Sequence, residues 1–234
     1  MKRSARQKSR EFHAVESLKS AGDAIGEIKK DCHIFAITRG QWSMVDAILH
    51  CLSQVGRSKI SIWTWTVADY EVQVINRLLL DDEVTAGTLI IDGGARIKNR
   101  DIIKKWRKHF GSESVRYVLN HAKMATIESE SGLKLLLRGS MNLNFNPRFE
   151  NFDLSEGGDA GFDLVKSIES ELPFLPSNCS GEDIYKASKV SACFDAEALD
   201  FFKGKKRWST TETNEFRKEQ KLFKMAEGQK IWSI

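Results

Sequence analysis

Residues 121–150 read HAKMATIESESGLKLLLRGSMNLNFNPRFE, and the rest of the chain can be ordered around them. The stretch opens on His121-x-Lys123, passes an apolar run at 133–137 and reaches Gly139-Ser140-Met141-Asn142. Just upstream, Val115-Arg116-Tyr117-Val118-Leu119 has the β-branched and aromatic content of a strand. Side chains two apart on a strand leave the same face, so a strand ending near 121 presents His121 and Lys123 together. Ser140 and Asn142 repeat that spacing on a neighbouring strand. An imidazole, an ammonium, a hydroxyl and a carboxamide converging on one spot suit a tetrahedral anion. They offer a nucleophile or proton carrier, a point charge and neutral hydrogen-bond donors.

This pattern resembles the phospholipase D superfamily, whose signature is H-x-K-x4-D followed by G-S-x-N. His121, Lys123, Gly139, Ser140 and Asn142 match it, and Glu150-Asn151 is similar to the family's downstream Glu-Asn pair. The acidic position departs: Glu128 stands where the family has Asp, largely a structural partner. The interval from Glu128 to Gly139 is also longer, and Ser129-Glu130-Ser131-Gly132 reads as a hairpin turn that absorbs the extra residues. The resemblance implies an α/β sandwich with a mixed central sheet, and phosphodiester chemistry that uses neither metal nor cofactor. It implies that one histidine attacks phosphorus and forms a phosphohistidine. A second protonates the leaving oxygen and then activates water. Lys123 and Asn142 would hold non-bridging oxygens with help from Ser140, and Glu150 would orient an imidazole. Glu128 and Gly139 would support this frame. The chain carries one such motif and no internal repeat, whereas the chemistry needs two histidines. Small members of the family bring two subunits together across a twofold axis. The resemblance therefore implies a homodimer in which each His121 faces the other.

Hydrophobic residues make up 41% of the chain and charged residues 29%, ordinary values for a soluble globular protein, so wholesale disorder is not expected. A length of 234 residues allows one sizeable core plus extensions. The formal charge of +4 and an isoelectric point near 8.8 permit an anionic partner without requiring one. No apolar run approaches the roughly 18 residues of a membrane span. No apolar signal segment follows the charged N-terminal residues. Cys32, Cys51, Cys179 and Cys193 show no metal-ligand spacing, which reads as free thiols in a reducing cytoplasm.

The order of the chain suggests three parts. Residues 1–30 form a basic N-terminal arm, either a solvated terminus or a phosphate-contacting arm, with a short helix expected over 11–30. Residues 31–176 form the phospholipase D-like domain, where alternating strands and helices argue an α/β fold. Strands are expected at 32–37, 59–67, 88–92 and 151–154. Helices are expected over 42–55, 70–80, 101–110 and 162–172, the last stopped by Pro173. Residues 177–234 form a helical C-terminal extension: a helix over 182–202, a basic break at 203–208 and a helix over 210–234. The last of these carries spaced apolar residues that suit docking on the core or on a second subunit. His33 and His50 stand alone on apolar segments and read as packed core residues.

These features point to a metal-independent phosphodiesterase, an endonuclease acting on DNA or RNA. Phosphate backbones are bound largely through electrostatics, and Lys98, Arg100, Lys104, Lys105, Arg107 and Lys108 stand against only Asp101 just before the site. The same residues also fit the solvent face of a helix. Two other readings stay open. One is a nucleic-acid-binding protein that keeps the fold without turnover. The other is a phospholipid or small-molecule phosphodiesterase, although no membrane partner is expected because no interfacial amphipathic anchor is present.

Overall fold

Eight strands join in one sheet whose side chains alternate between two apolar layers. The structure, a computed structural model, describes residues 11–17, 19–67, 71, 73–74, 83–143, 147–157 and 160–188. In chain order the elements are β1 (Glu11–Ser17), α1 (Ala21–Ile25), β2 (Cys32–Thr38), α2 (Met44–Val55), β3 (Ser58–Thr64) and β4 (Val84–Asp92). Then come α3 (Arg100–Phe110), β5 (Val115–Val118), β6 (Met124–Ser129), β7 (Lys134–Gly139), β8 (Glu150–Glu156), α4 (Ala160–Glu171) and α5 (Gly181–Ala187). Across the sheet the strands run β1-β2-β8-β7-β6-β3-β4-β5. The pairs β1–β2, β3–β4 and β4–β5 are parallel, and the other four are antiparallel. This is the α/β class with the mixed sheet that the sequence suggests.

One face of the sheet carries Ile34, Ile62, Leu89, Ile127, Leu137 and Phe152 into the main core, where α1, α2, α3 and α5 supply the facing side chains. The other face presents Trp63, Ile90, Val118 and Leu136 to Phe162 and Val165 of α4. The stripe expected on α2 is buried at Met44, Val45, Ile48, Cys51, Leu52 and Val55. Asp46 accepts from the Ser43 backbone N–H (2.7 Å) at its start, and Gly56, at φ 72°, ends it. In α3, Ile102, Ile103 and Trp106 turn inward, each worth about 1.5–3 kcal/mol of burial.

These pairings put the ends of β2, β3, β4, β5 and β7, and the starts of β6 and β8, at one end of the sheet. Open α/β sheets bind their ligands at the carboxyl ends of their parallel strands.

Several expectations change. The helix over 11–30 is instead β1 followed by the short α1. Residues 11–17 alternate, so that Phe12 and Ala14 fall opposite His33 and Phe35 on one face of a parallel edge strand. The sheet therefore begins before residue 31. The domain also runs past 176, because Ile184 and Ala187 of α5 are buried. Gly93 makes room for Ile184: a Cβ there would lie 2.6 Å from its Cδ1. Strand β3 stops at Thr64, and Val67 pairs separately with Leu143. Neither isolated histidine is plain core packing. His33 bonds Asp153 (2.9 Å), whose other oxygen meets Arg138 (2.6 Å), and His50 lies 2.8 Å from the Gly26 carbonyl.

Cys32, Cys51 and Cys179 are buried, and burial, with Cys32 nearby, pushes the Cys51 thiol up. Among the described residues no helix is long and apolar enough to cross a membrane. The arm at 1–10, Cys193, the C-terminal helices beyond 188 and the basic break at 203–208 lie outside the described residues. So does the helix over 70–80, apart from Glu71, Gln73 and Val74, which are helical.

Candidate active site

His121 does not end the strand that precedes it. The chain leaves β5, the edge strand, at Val118, crosses inward and enters β6 at Met124, so His121 and Lys123 sit on the crossover. One buried side chain pins that crossover. The Asn120 carboxamide donates to Thr64 O (3.0 Å) and Ala122 O (3.2 Å) and accepts from Ala122 N–H (2.9 Å). Its backbone N–H donates to Asp92 (3.0 Å). The crossover is thus tied to the ends of β3 and β4.

Despite the missing strand, His121 and Lys123 still meet. Lys123 Nζ donates to the His121 carbonyl (2.7 Å) and lies 3.0 Å from Nδ1 and 3.2 Å from Nε2 of the ring. Nearly equidistant from both ring nitrogens, the ammonium sits against the imidazole, and its directed bond goes to the backbone carbonyl. Partial burial pulls the Lys123 ammonium below the ordinary lysine range, and the Glu150 carboxylate opposes that. Lys123 therefore gives up its proton at a lower pH than a solvated lysine.

Ser140 follows the end of β7, next to β6, as the spacing suggests. Gly139 lies so close to β8 that a Cβ would stand 2.2 Å from the Asn151 carbonyl oxygen. That approach lets Ser140 N–H donate to Asn151 O (3.1 Å) and Asn151 N–H donate to Ser140 Oγ (3.0 Å). The Ser140 hydroxyl in turn donates to Glu150. Within one chain Glu150 is held by Ser140 and not by the His121 imidazole. Asn142 sits between buried Met141 and Leu143, and its Oδ1 is buried with no partner among the described residues.

The remaining expected residues stand apart. Glu128 lies five positions along β6 from Lys123, about 16 Å at the rise of a strand, with Lys59 and Lys134 opposite it in register. It is not part of the cluster. Lys98, in the turn before α3, and Arg100, Lys104, Lys105 and Lys108 on the helix are exposed. Arg107 is packed instead, with Tyr117 at 5.2 Å and Phe174 at 5.5 Å, and donates to Leu175 O (3.2 Å) and Ser177.

Sequence reading missed Asn120, Trp65 and the pair Arg39–Phe149. Trp65 is 47% exposed, its ring 6.0 Å from that of His121. Trp63, two residues earlier, is buried and donates to Glu169 (2.8 Å), so the double-Trp strand announced one face while its end turned outward. Asn99 holds this loop by accepting from Val67 N–H (3.0 Å). Beside Glu150, Phe149 is 70% exposed and carries the Arg39 guanidinium 5.0 Å above its ring. Among the described residues no three His, Cys, Asp or Glu side chains stand together as a metal site.

Asn120 positions the histidine and does no chemistry itself, so its removal tests the frame. Asn120→Ala leaves three backbone groups without their partner and is expected to cost about 2–3 kcal/mol in urea unfolding. A loss under about 0.5 kcal/mol would mean that the crossover does not depend on it.

No family model matches the chain, and no curated protein does. Among solved structures it is similar to polyphosphate kinase from Porphyromonas gingivalis, at 14% identity over 70% of this chain, with a TM-score of 0.43. It covers only 27% of that chain. It is also similar to a phospholipase D family member, Nuc from Salmonella typhimurium, at 15% identity over 59% of this chain and 89% of that one, with a TM-score of 0.33. On its own geometry the chain is an α/β protein that gathers histidine, lysine, serine, asparagine and glutamate at one end of a mixed sheet.

Proposed function

We propose that the protein is a metal-independent phosphodiesterase that cuts DNA or RNA through a phosphohistidine in a site shared by two subunits. The observation that carries this reading is the placement of His121, Lys123, Ser140, Asn142 and Glu150 at the ends of three adjacent strands. There an imidazole and an ammonium touch, and His121 and Ser140 are open to solvent. Such a cluster has half of what the reaction needs. A ring nitrogen of His121 attacks phosphorus, and the bond to the leaving oxygen breaks as the partner's His121 gives that oxygen a proton. Water then attacks the phosphohistidine, the same imidazole takes its proton, and the P–N bond breaks to restore His121. Lys123 and Asn142 hold the non-bridging oxygens. Glu150, steadied by Ser140, orients the imidazole that faces it across the twofold axis. The exposed lysines and Arg100 of the α3 region favour a polyanionic substrate.

Single- and double-stranded DNA and RNA incubated in chelator test this. Cleavage should persist in EDTA and fall steeply as salt rises. The active species in light scattering should be twice 26.5 kDa. A requirement for magnesium would sink the histidine mechanism, and an active monomer would sink the shared site. Oligonucleotides bound but never cut would leave a non-catalytic binding protein, and cleavage of phospholipid alone would leave a lipid phosphodiesterase.

A further inference from the structure

We infer a second phosphate site, separate from the His121 cluster, in a cavity of about 530 Å³ between α3 and the segment at 177–178. Its size falls within the roughly 300–1,000 Å³ of ordinary small-molecule sites. Arg96, Arg100, Lys104 and Arg107 line it, and no carboxylate does. Arg100, Lys104 and Arg107 lie about one turn apart on one face of α3, and Arg96, in the turn just before the helix, extends the column at the same cavity. A column of like charges is stabilised by an anion that sits among them.

Two of the four are already committed and two are not. Arg96 donates to Gly93 O (2.9 Å) and Cys179 O (3.2 Å), and Arg107 is fixed through Leu175 and Ser177. Both are therefore rigid walls. The Nε of Arg107 remains buried with no acceptor among the described residues, a donor still lacking what buried donors have. Arg100 and Lys104 are exposed, and their side chains have no hydrogen bond or ion pair among the described residues. They are free to close on a ligand. Apolar surface from Ile97 and Ile103 adjoins the cations, and Ile97 is 79% exposed. A bare phosphate ion would leave that surface uncovered. The cavity fits a nucleoside phosphate, either a free nucleotide or the phosphorylated terminal nucleotide of a strand.

The site lies beside β5 at the sheet edge, whereas the cluster sits at β6, three strand spacings or roughly 14 Å inward. It does not depend on turnover, so the test uses the full chain carrying His121→Ala. Calorimetric titrations with ADP, inorganic phosphate, and a short oligonucleotide with and without a 5′-phosphate are compared in that chain and in one also carrying Arg100→Ala and Lys104→Ala. ADP or the 5′-phosphorylated oligonucleotide should bind one site per chain, at least tenfold more weakly after the double substitution. Whichever of the two binds tighter names the source. Unchanged affinity in the double variant would overturn the site, as would the absence of binding by both. Equal affinity for ADP and inorganic phosphate would overturn the nucleoside assignment. Equal affinity with and without the 5′-phosphate would place the strand backbone there instead.

Discussion

His121→Ala should abolish cleavage while leaving oligonucleotide binding within a few-fold of the parent. The substitution removes the attacking nitrogen but leaves the charged surface of α3, whose cations supply the attraction. Lys123→Ala should lose about 100- to 1,000-fold in rate, since it withdraws one charge from a phosphate whose negative charge shifts in the transition state. The two losses should be far from additive, because both residues act in one step. Mixed His121→Ala and Lys123→Ala chains should stay inactive, since each heterodimer holds a single intact His121. Single-turnover cleavage beside fluorescence anisotropy separates the two effects. Cleavage at the parent rate by His121→Ala would take this residue out of the chemistry.

Gly139→Ala should be the most damaging small substitution to the fold. A methyl at that position meets the Asn151 carbonyl oxygen at 2.2 Å, and both sides of the clash are backbone. Strands β7 and β8 must separate where Gly139 pairs with Phe152, weakening the Ser140–Asn151 bonds and releasing Glu150. Overpacking of this kind costs about 3 kcal/mol. Gly132 provides the control. It occupies a positive φ of 89° but has nothing within 4 Å of an added Cβ, so Gly132→Ala should cost only about 1 kcal/mol. Equal midpoint shifts for the two in guanidinium unfolding would mean that the close approach of the strands at Gly139 is not the cause.

Much of the fold was legible because strong local patterns coincide with buried faces. The stripe on α2 closed by Gly56, the apolar run of β7 and the Ile102-Ile103-Trp106 face of α3 each specify one element without help from distant residues. Strand β1 was not legible, since an edge strand pairs on one side only and its polar residues blur the alternation. The meeting of His121 with Lys123 followed from a two-residue spacing, yet the strand assumed to impose it is absent. Hydrogen bonds from Asn120 impose order there instead, one of them to a carbonyl 56 residues away. No local pattern announces such a bond. The charge count over α3 likewise could not separate Arg107, held by two aromatic rings and a carbonyl, from its solvent-facing neighbours.

The cluster is drawn from one antiparallel meander, β6–β7–β8, and from the crossover that feeds it. Its parts lie within thirty consecutive residues, although the sheet around them spans Glu11 to Glu156. The chain entropy lost in bringing them together is that of closing short loops, which grows only slowly with loop length. Contacts between near neighbours in sequence also form sooner than those across a long chain. In a folding chain the meander that carries Ser140 and Glu150 can therefore form as a local hairpin event, whereas His121 and Lys123 are fixed only once Asn120 reaches the ends of β3 and β4.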